Sequence, residues 1–463
     1  MSTPIIWILL PLLTAGMMLF LTNRPVTLKW LGTGTGFILA LSALIIPVDR
    51  IFNFLFWDIL VSDQMLVFGR RFVLGEPDRP IVALLFLVAA FWFLLLEPNT
   101  IPIQTIPLGL GGITLILTAF AVEPLFYGSL FFAFLALTYV VLLSPPGSKP
   151  TPGVMRFLIF QVLGILFILF AAWLASWIDL NSDDQLLLTR SMLILGLGFS
   201  FLLAIFPFIS WIPMVAERNH PFLSGFVFNT YFLGVILFGT RFITEGGWLG
   251  QGVGLQGALQ FAGIMMIGTG GILAVFSNHL GRLTASLVLA DIGRSLLAIS
   301  LFQAGFPLFF AMVIIQTIAL GIWSLSLSNL QGVIGELDYE KAAGSAWQWP
   351  VTSAGLLVAY FSLAGMPLLA GFPLYWALGS GLSSYPLWIS IFYLAASSGL
   401  FIGGLRIFGL ITRNSGEETV LIASRPFYRF LLVGLNLILI LLGFIPQVLI
   451  KISQSIAELL LSS

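Results

Sequence analysis

The sequence predicts an all-α polytopic membrane protein of about 14 transmembrane helices, and three observations predict it. Apolar residues make up 59% of the chain and charged residues only 8%, with a mean hydropathy of +1.08. Soluble domains carry roughly a quarter charged residues, so no soluble fold could cover this much apolar surface. The apolar residues come in runs of about 20, the length that crosses a hydrocarbon core as a helix. None of the runs shows the short alternating segments of a transmembrane barrel, and helices satisfy their own backbone polar groups in lipid.

Polar, glycine and proline punctuation sets the expected spans at 5–22, 31–48, 80–97, 105–122, 125–144, 155–177, 188–208, 221–243, 255–276, 283–304, 306–328, 350–378, 384–411 and 426–449. The first run, Ile5 to Leu21, has no basic stretch ahead of it and no small-residue cleavage site before Thr22-Asn23-Arg24. It reads as a retained span and not a signal peptide. Residues 49–79 gather Asp49, Arg50, Asp58, Asp63, Arg70, Arg71, Glu76, Asp78 and Arg79 around β-prone stretches such as Met65-Leu66-Val67-Phe68. That composition predicts an extramembrane hairpin loop. An even number of spans puts both termini on one side. Eleven basic residues, among them Arg24, Lys149 and Arg413, fall on one set of connections against seven, among them Arg70, Arg71 and Arg241, on the other. The positive-inside rule then places both termini outside. Tryptophans near span ends, such as Trp57, Trp211 and Trp347, are expected as interface anchors.

Two spans are interrupted in the same way. Pro207 and Pro213 frame one Pro-x5-Pro segment, and Pro367 and Pro373 frame another about 160 residues later. Proline removes a backbone donor and clashes with the preceding turn, so each segment is expected to be a broken helix whose freed carbonyls face protein or water. A pair of broken helices suggests an internal repeat around a transport path; ordinary helix-end prolines are the alternative.

Several functions are excluded. The formal net charge is zero and the basic residues are scattered, which leaves no stripe for nucleic-acid phosphates. Without cysteine there are no disulfides, thiolate-held iron–sulfur clusters or Cys-ligated zinc. His220 and His279 lie in separate turns and suggest no metal site. No phosphate-binding loop or dinucleotide fingerprint occurs, so no cofactor and no redox or hydrolytic site of the chain's own is expected.

An ionisable residue inside a span is read as functional by default because its burial is costly. One such pair exists, Asp291 and Arg294 on the expected tenth span, three residues apart and hence on one helix face. The pair fits either a proton path with alternating partners or a neutralised structural lock, since arginine keeps its proton. Glu217 sits past the first break beside Arg218 and His220, where a solvated interfacial cluster is expected. Gln161, Asn229, Gln303 and Gln316 lie within or at the ends of spans and can hold water or bond across helices.

Ser362-Leu363-Ala364-Gly365-Met366-Pro367-Leu368-Leu369-Ala370-Gly371-Phe372 resembles the Ser-Leu-Ala-Gly-Ile-Pro-Pro-Leu-Ala-Gly-Phe signature of the antiporter-like, proton-channel subunits of respiratory complex I and of Mrp-type cation/proton antiporters. The acidic stretch from Glu336 to Glu340 and on to Pro350 resembles the loop ahead of that signature. Phe206 to Pro213, with Glu217 and Ser224 after it, is similar to the family's Val-Pro-Phe-His-x-Trp-Leu-Pro segment. Arg282 to Gly293 is similar to its Arg-Leu-Leu-Ala-Tyr-Ser-Ser-Ile-Ala-His-Ala-Gly stretch, with Asp291 at the position of the His.

The resemblance implies one membrane domain over 1–463 with two inverted five-helix repeats, at 105–243 and 255–411, each containing a broken helix, near Pro207 and Pro367. It also implies a midplane relay of Glu and Lys residues. Matching the motifs puts those positions at Phe132, Leu202, near Phe232 and at Tyr375, none of which ionises near neutral pH. The four lysines, Lys29, Lys149, Lys341 and Lys451, all fall in expected loops or span ends. What remains as candidate site residues is Asp291 and Arg294, with Glu217, Arg282 and Tyr375 as secondary positions. The function implied is a membrane-arm subunit of a complex I-like or Mrp-like proton/cation-translocating assembly, its relay lost or rewired. Any NAD(P)H:quinone oxidoreductase activity would belong to partner subunits. A non-conducting scaffold and a stand-alone secondary transporter are the alternatives. The expected partners are the lipid bilayer and other membrane subunits, in a bacterial inner or thylakoid membrane.

Overall fold

The computed structural model describes residues 2–49, 51–54, 57–98, 100–144, 147, 149–178, 185–245, 254–413 and 426–461. The expected all-α polytopic fold is observed. Its helices are α1 (Ile5–Leu19), α2 (Pro25–Ile45), α3 (Arg79–Leu95), α4 (Thr105–Ala121), α5 (Gly128–Leu143), α6 (Pro152–Ile178) and α7 (Gln185–Leu202). They continue with α8 (Trp211–Arg218), α9 (Pro221–Glu245), α10 (Leu255–Phe276), α11 (Leu280–Ser300) and α12 (Phe306–Ile334). Last come α13 (Pro350–Ala364), α14 (Gly371–Leu382), α15 (Leu387–Ile411), α16 (Pro426–Phe444) and α17 (Gln447–Leu461). Among the described residues ten helices are long and apolar enough to cross a membrane, and four shorter apolar ones lie within α1, α4, α7 and α13. Large apolar side chains such as Met17, Phe134, Phe276 and Phe430 stand exposed, as side chains facing lipid do. The chain is an integral, multi-pass membrane protein.

Two compact units divide the chain: Met1–Ala204 with Thr230–Val253 and Glu458–Ser463, and Ile205–Asn229 with Gly254–Ala457. Helix α9 passes from the second unit into the first after Asn229.

In the first unit, the polar segment between α2 and α3 forms two antiparallel hairpins. Ile51–Phe54 pairs with Trp57–Leu60, and Gln64–Val67 pairs with Arg70–Val73. A third strand, Val122–Glu123, joins the second hairpin and brings Glu123 to 3.3 Å from Arg71. Helix α2 starts six residues before its expected span, because Pro25 at the first helical turn needs no backbone donor there. This lengthening carries Lys29 into the second turn, where it is 3% exposed and within electrostatic reach of Glu97; the span-end position expected from sequence is thereby corrected. Arg241 on α9 bonds Asp78 at 3.2 Å and covers the Phe120 ring.

In the second unit, α11 is buried throughout from Leu283 to Ser300. Its sequence, Leu-Thr-Ala-Ser-Leu-Val-Leu-Ala-Asp-Ile-Gly-Arg-Ser, explains this: small and hydroxyl-bearing residues allow close neighbours and bond across helices. Trp211 is fully buried against Phe228 and so is no interface anchor, whereas Trp347 is exposed; the side chain of Trp57 lies outside the described residues. Helix α17, which the apolar runs did not announce, is amphipathic and follows Pro446, with Leu449, Ser453 and Ala457 buried at a four-residue spacing.

Candidate functional site

The second broken helix sets the geometry. Helix α13 ends at Gly365, whose φ of +84° is open to glycine and strained for residues with a Cβ. Met366 donates to the Phe361 carbonyl at 2.9 Å and Gly365 to the Ser362 carbonyl at 3.3 Å, the paired bonds of a Schellman turn. The next carbonyl, that of Leu363, is left for an outside donor. At Gly371, where α14 begins, any Cβ would lie 2.0 Å from the Ser362 carbonyl oxygen, so the two half-helices approach through backbone alone. The two glycines of the signature therefore have separate physical causes, a left-handed turn and a close approach.

Arg294 of α11 supplies the missing donor. Its Nη1 bonds the Leu363 carbonyl at 2.6 Å and Asp291 Oδ1 at 3.2 Å. Its guanidinium also lies 3.9 Å from the ring centroid of Tyr375 on α14. The Tyr393 hydroxyl of α15 donates to the Tyr375 carbonyl at 2.9 Å, and Gln316 of α12 lies beside Asp291. Arg294 is 0% and Asp291 8% exposed. Five helices thus converge on one ion pair. Arg294 Nε and Nη2, Gln316 Nε2 and the Tyr375 hydroxyl are buried there without a hydrogen bond of good geometry, while Gln316 lies within bonding reach of Asp291, and Tyr375 and Tyr393 within reach of Arg294.

This arrangement has a definite chemistry. A guanidinium keeps its charge, so Asp291 is the member of the pair able to take up or release a proton. When Asp291 is protonated, Arg294 retains the Leu363 carbonyl and the Tyr375 ring, and these hold a cation whose carboxylate has been neutralised. Three of the expected residues, Asp291, Arg294 and Tyr375, are therefore brought together, and Tyr375 holds the position matched to a family lysine.

The other expected residues lie elsewhere. Arg282 grips Glu217 with two bonds, Nε to Oε2 at 2.7 Å and Nη2 to Oε1 at 3.1 Å, in a pair that solvent reaches. The partner of Glu217 is thus Arg282 and not the adjacent Arg218 or His220. His279 caps α11 by accepting from Gly281 at 3.0 Å, and His220 lies 3.4 Å from Ser328 Oγ; among the described residues no cluster could hold a metal. Pro207 stands between α7 and α8, and Pro367 between α13 and α14. Pro213 and Pro373 each occupy the third residue of α8 and α14, where a helix needs no donor. Gln303 lies on an exposed turn between α11 and α12.

At the family-matched positions of the first unit, Phe132, Leu202 and Phe232 are all buried. The Phe132 ring packs on Tyr231 and Phe238, and Tyr231 meets Phe157, Tyr139 and Phe232. The hydroxyls of this aromatic cluster are paired, Tyr231 donating to Gln161 Oε1 and Tyr139 and Thr230 sharing a bond of 2.8 Å, while Gln161 Nε2 is buried without a partner. Sequence reasoning missed Tyr393 and the Leu363 carbonyl, which reach the site only through folding.

No protein-family model matches the chain. Among curated proteins it is 25% identical over 331 residues to NADH-quinone oxidoreductase subunit N of Ectopseudomonas mendocina, covering 65% of each chain. It is 27% identical over 269 residues to formate hydrogenlyase subunit 3 of Escherichia coli, covering 52% of this chain and 41% of that protein. The chain therefore matches between about two fifths and two thirds of the length of these relatives. Among solved structures, a chain of an archaeal membrane-bound sulfane sulfur reductase superposes with a TM-score of 0.77 at 16% identity over 98% of this chain and 97% of that one. A chain of the Mrp complex from Dietzia sp. gives 0.75 at 15% identity over 98% and 96%. One of respiratory complex I from Thermus thermophilus gives 0.74 at 21% identity over 98% and 99%.

Proposed function

We propose that this chain is a divergent member of the antiporter-like membrane-subunit family and serves in the membrane arm of a complex I-like or Mrp-like proton/cation-translocating assembly. In this reading its proton-exchanging group is Asp291, and Arg294 is the fixed counter-charge. The observation that carries it is the threefold grip on Arg294 by Asp291, the Leu363 carbonyl at the helix break and the Tyr375 ring. The named relatives are subunits of NADH-quinone oxidoreductase and formate hydrogenlyase, which supports an assembly with other membrane subunits and leaves redox chemistry to them. The reading includes fourteen crossings with both termini outside, two inverted repeats around the breaks near Pro207 and Pro367, and a bacterial inner or thylakoid membrane.

The test is proton transport by the reconstituted assembly carrying Asp291→Asn with Arg294→Gln. Loss of transport with the assembly intact on native gels supports the reading; unchanged transport overturns it. A second reading, a non-conducting scaffold, is favoured by the closed aromatic interior of the first unit. It expects these substitutions to reduce the amount of assembled complex and nothing else.

A further inference from the structure

Orphaned polar atoms in the second unit extend beyond the ion pair. Ser362 Oγ, in the last turn of α13, has none of its own partners, and two turns earlier on the same helix face, about 10 Å along the axis, stands Gly355. A Cβ at Gly355 would lie 2.6 Å from Ser326 Oγ of α12 and 3.6 Å from Asn436 Nδ2 of α16. Ser326 Oγ and Asn436 Oδ1 are buried without hydrogen-bond partners, in residues 0% and 8% exposed. Asn436 sits in an otherwise apolar stretch, Leu-Leu-Val-Gly-Leu-Asn-Leu-Ile-Leu-Ile, where a buried amide is costly unless it is satisfied.

We propose that Ser326 and Asn436, brought together at Gly355, form a water-binding site joining α12, α13 and α16. The missing Cβ lets the Ser326 hydroxyl and the Asn436 amide come up against the α13 backbone, where the hydroxyl can donate and accept and the amide oxygen accepts. None of these residues is charged, so the site suits a small neutral ligand that both donates and accepts, and offers no carboxylate to neutralise a cation. It prolongs the polar face of α13 from Ser362 away from the Asp291–Arg294 pair and brings a further helix into the polar interior of the unit. The assignment stands whether or not the chain conducts protons.

The experiment is electron cryo-microscopy of the purified full chain in lipid nanodiscs, at a resolution that shows ordered water, for the native protein and for Gly355→Ala. Density within hydrogen-bond distance of both the Asn436 amide and Ser326 Oγ is expected in the native map and not in that of Gly355→Ala. Asn436→Leu, which leaves the helix backbone alone, should also lose it and carries the test if Gly355→Ala does not fold. Absence of density in the native map, or its persistence in either variant, overturns the proposal. Thermal unfolding in sodium chloride and in choline chloride is expected to give the same midpoint; a rise specific to sodium would reassign the site to a cation and overturn the choice of water.

Discussion

The interiors of the two units solve the same problem in opposite ways. In the first, Phe132, Tyr139, Phe157, Tyr231 and Phe238 pack ring against ring, and Gln161 Oε1 and the Thr230 hydroxyl bond the tyrosines while Gln161 Nε2 stays buried without a partner. In the second, a helix buried from Leu283 to Ser300 carries Asp291 and Arg294 among Gln316, Tyr375 and the Leu363 carbonyl. The aromatic cluster gains from area and ring geometry and holds no charged group among its rings, while the first unit's buried ion pair, Arg241–Asp78, lies at the Phe120 ring. A buried ion pair gains little stability over apolar replacements, so the charge at each pair has to be tested by substitution. The difference makes the Asp291–Arg294 pair, and not the aromatic cluster, the place to test for charge transfer.

That contrast can be broken or sharpened by substitution. The largest effect is expected from Arg294→Leu, which strands the Asp291 carboxylate and should cost about 3–5 kcal/mol in reversible unfolding. Restoring most of that loss by adding Asp291→Asn would show that the stranded charge is the cause. Next, Tyr375→Leu removes the ring beneath the guanidinium and should cost about 2 kcal/mol, while Tyr231→Phe in the first unit removes only one hydroxyl bond and should cost about 1 kcal/mol. Equal losses at these two tyrosines would erase the distinction between the interiors. Glu217→Ala breaks a half-exposed pair and should cost under about 1 kcal/mol, vanishing in high salt, when melting curves are compared at two ionic strengths. The smallest effect concerns pH. Burial lowers the His220 imidazole to about 4. Since the folded-state value lies below the unfolded one, stability from this group is complete above about pH 6.5 and is lost as pH falls toward about 4. The midpoint of His220→Gln should fall less than that of the native chain over this interval, with no difference between pH 7 and 8.

Much of this was legible in the sequence. Apolar runs fixed the polytopic class, and the i, i+3 spacing of Asp291 and Arg294 placed them on one face. The Pro-x5-Pro segments located both breaks. What stayed hidden depends on contacts between distant residues. The Leu363 carbonyl meets Arg294 across 69 positions, and no local pattern announces which freed carbonyl finds which donor. Tyr393 looked like one aromatic among many. Lys29 was misplaced because its helix begins earlier than its apolar run, and α17 escaped because an amphipathic stretch following a proline carries too little hydropathy to stand out beside true spans.

The most direct measurement compares proton uptake into proteoliposomes by the reconstituted assembly bearing Asp291→Asn with uptake by one bearing Phe132→Leu, each corrected for the amount of assembled complex. The account predicts that Asp291→Asn abolishes uptake while Phe132→Leu leaves it at the native rate. Native uptake with Asp291→Asn, or its loss with Phe132→Leu alone, would contradict it.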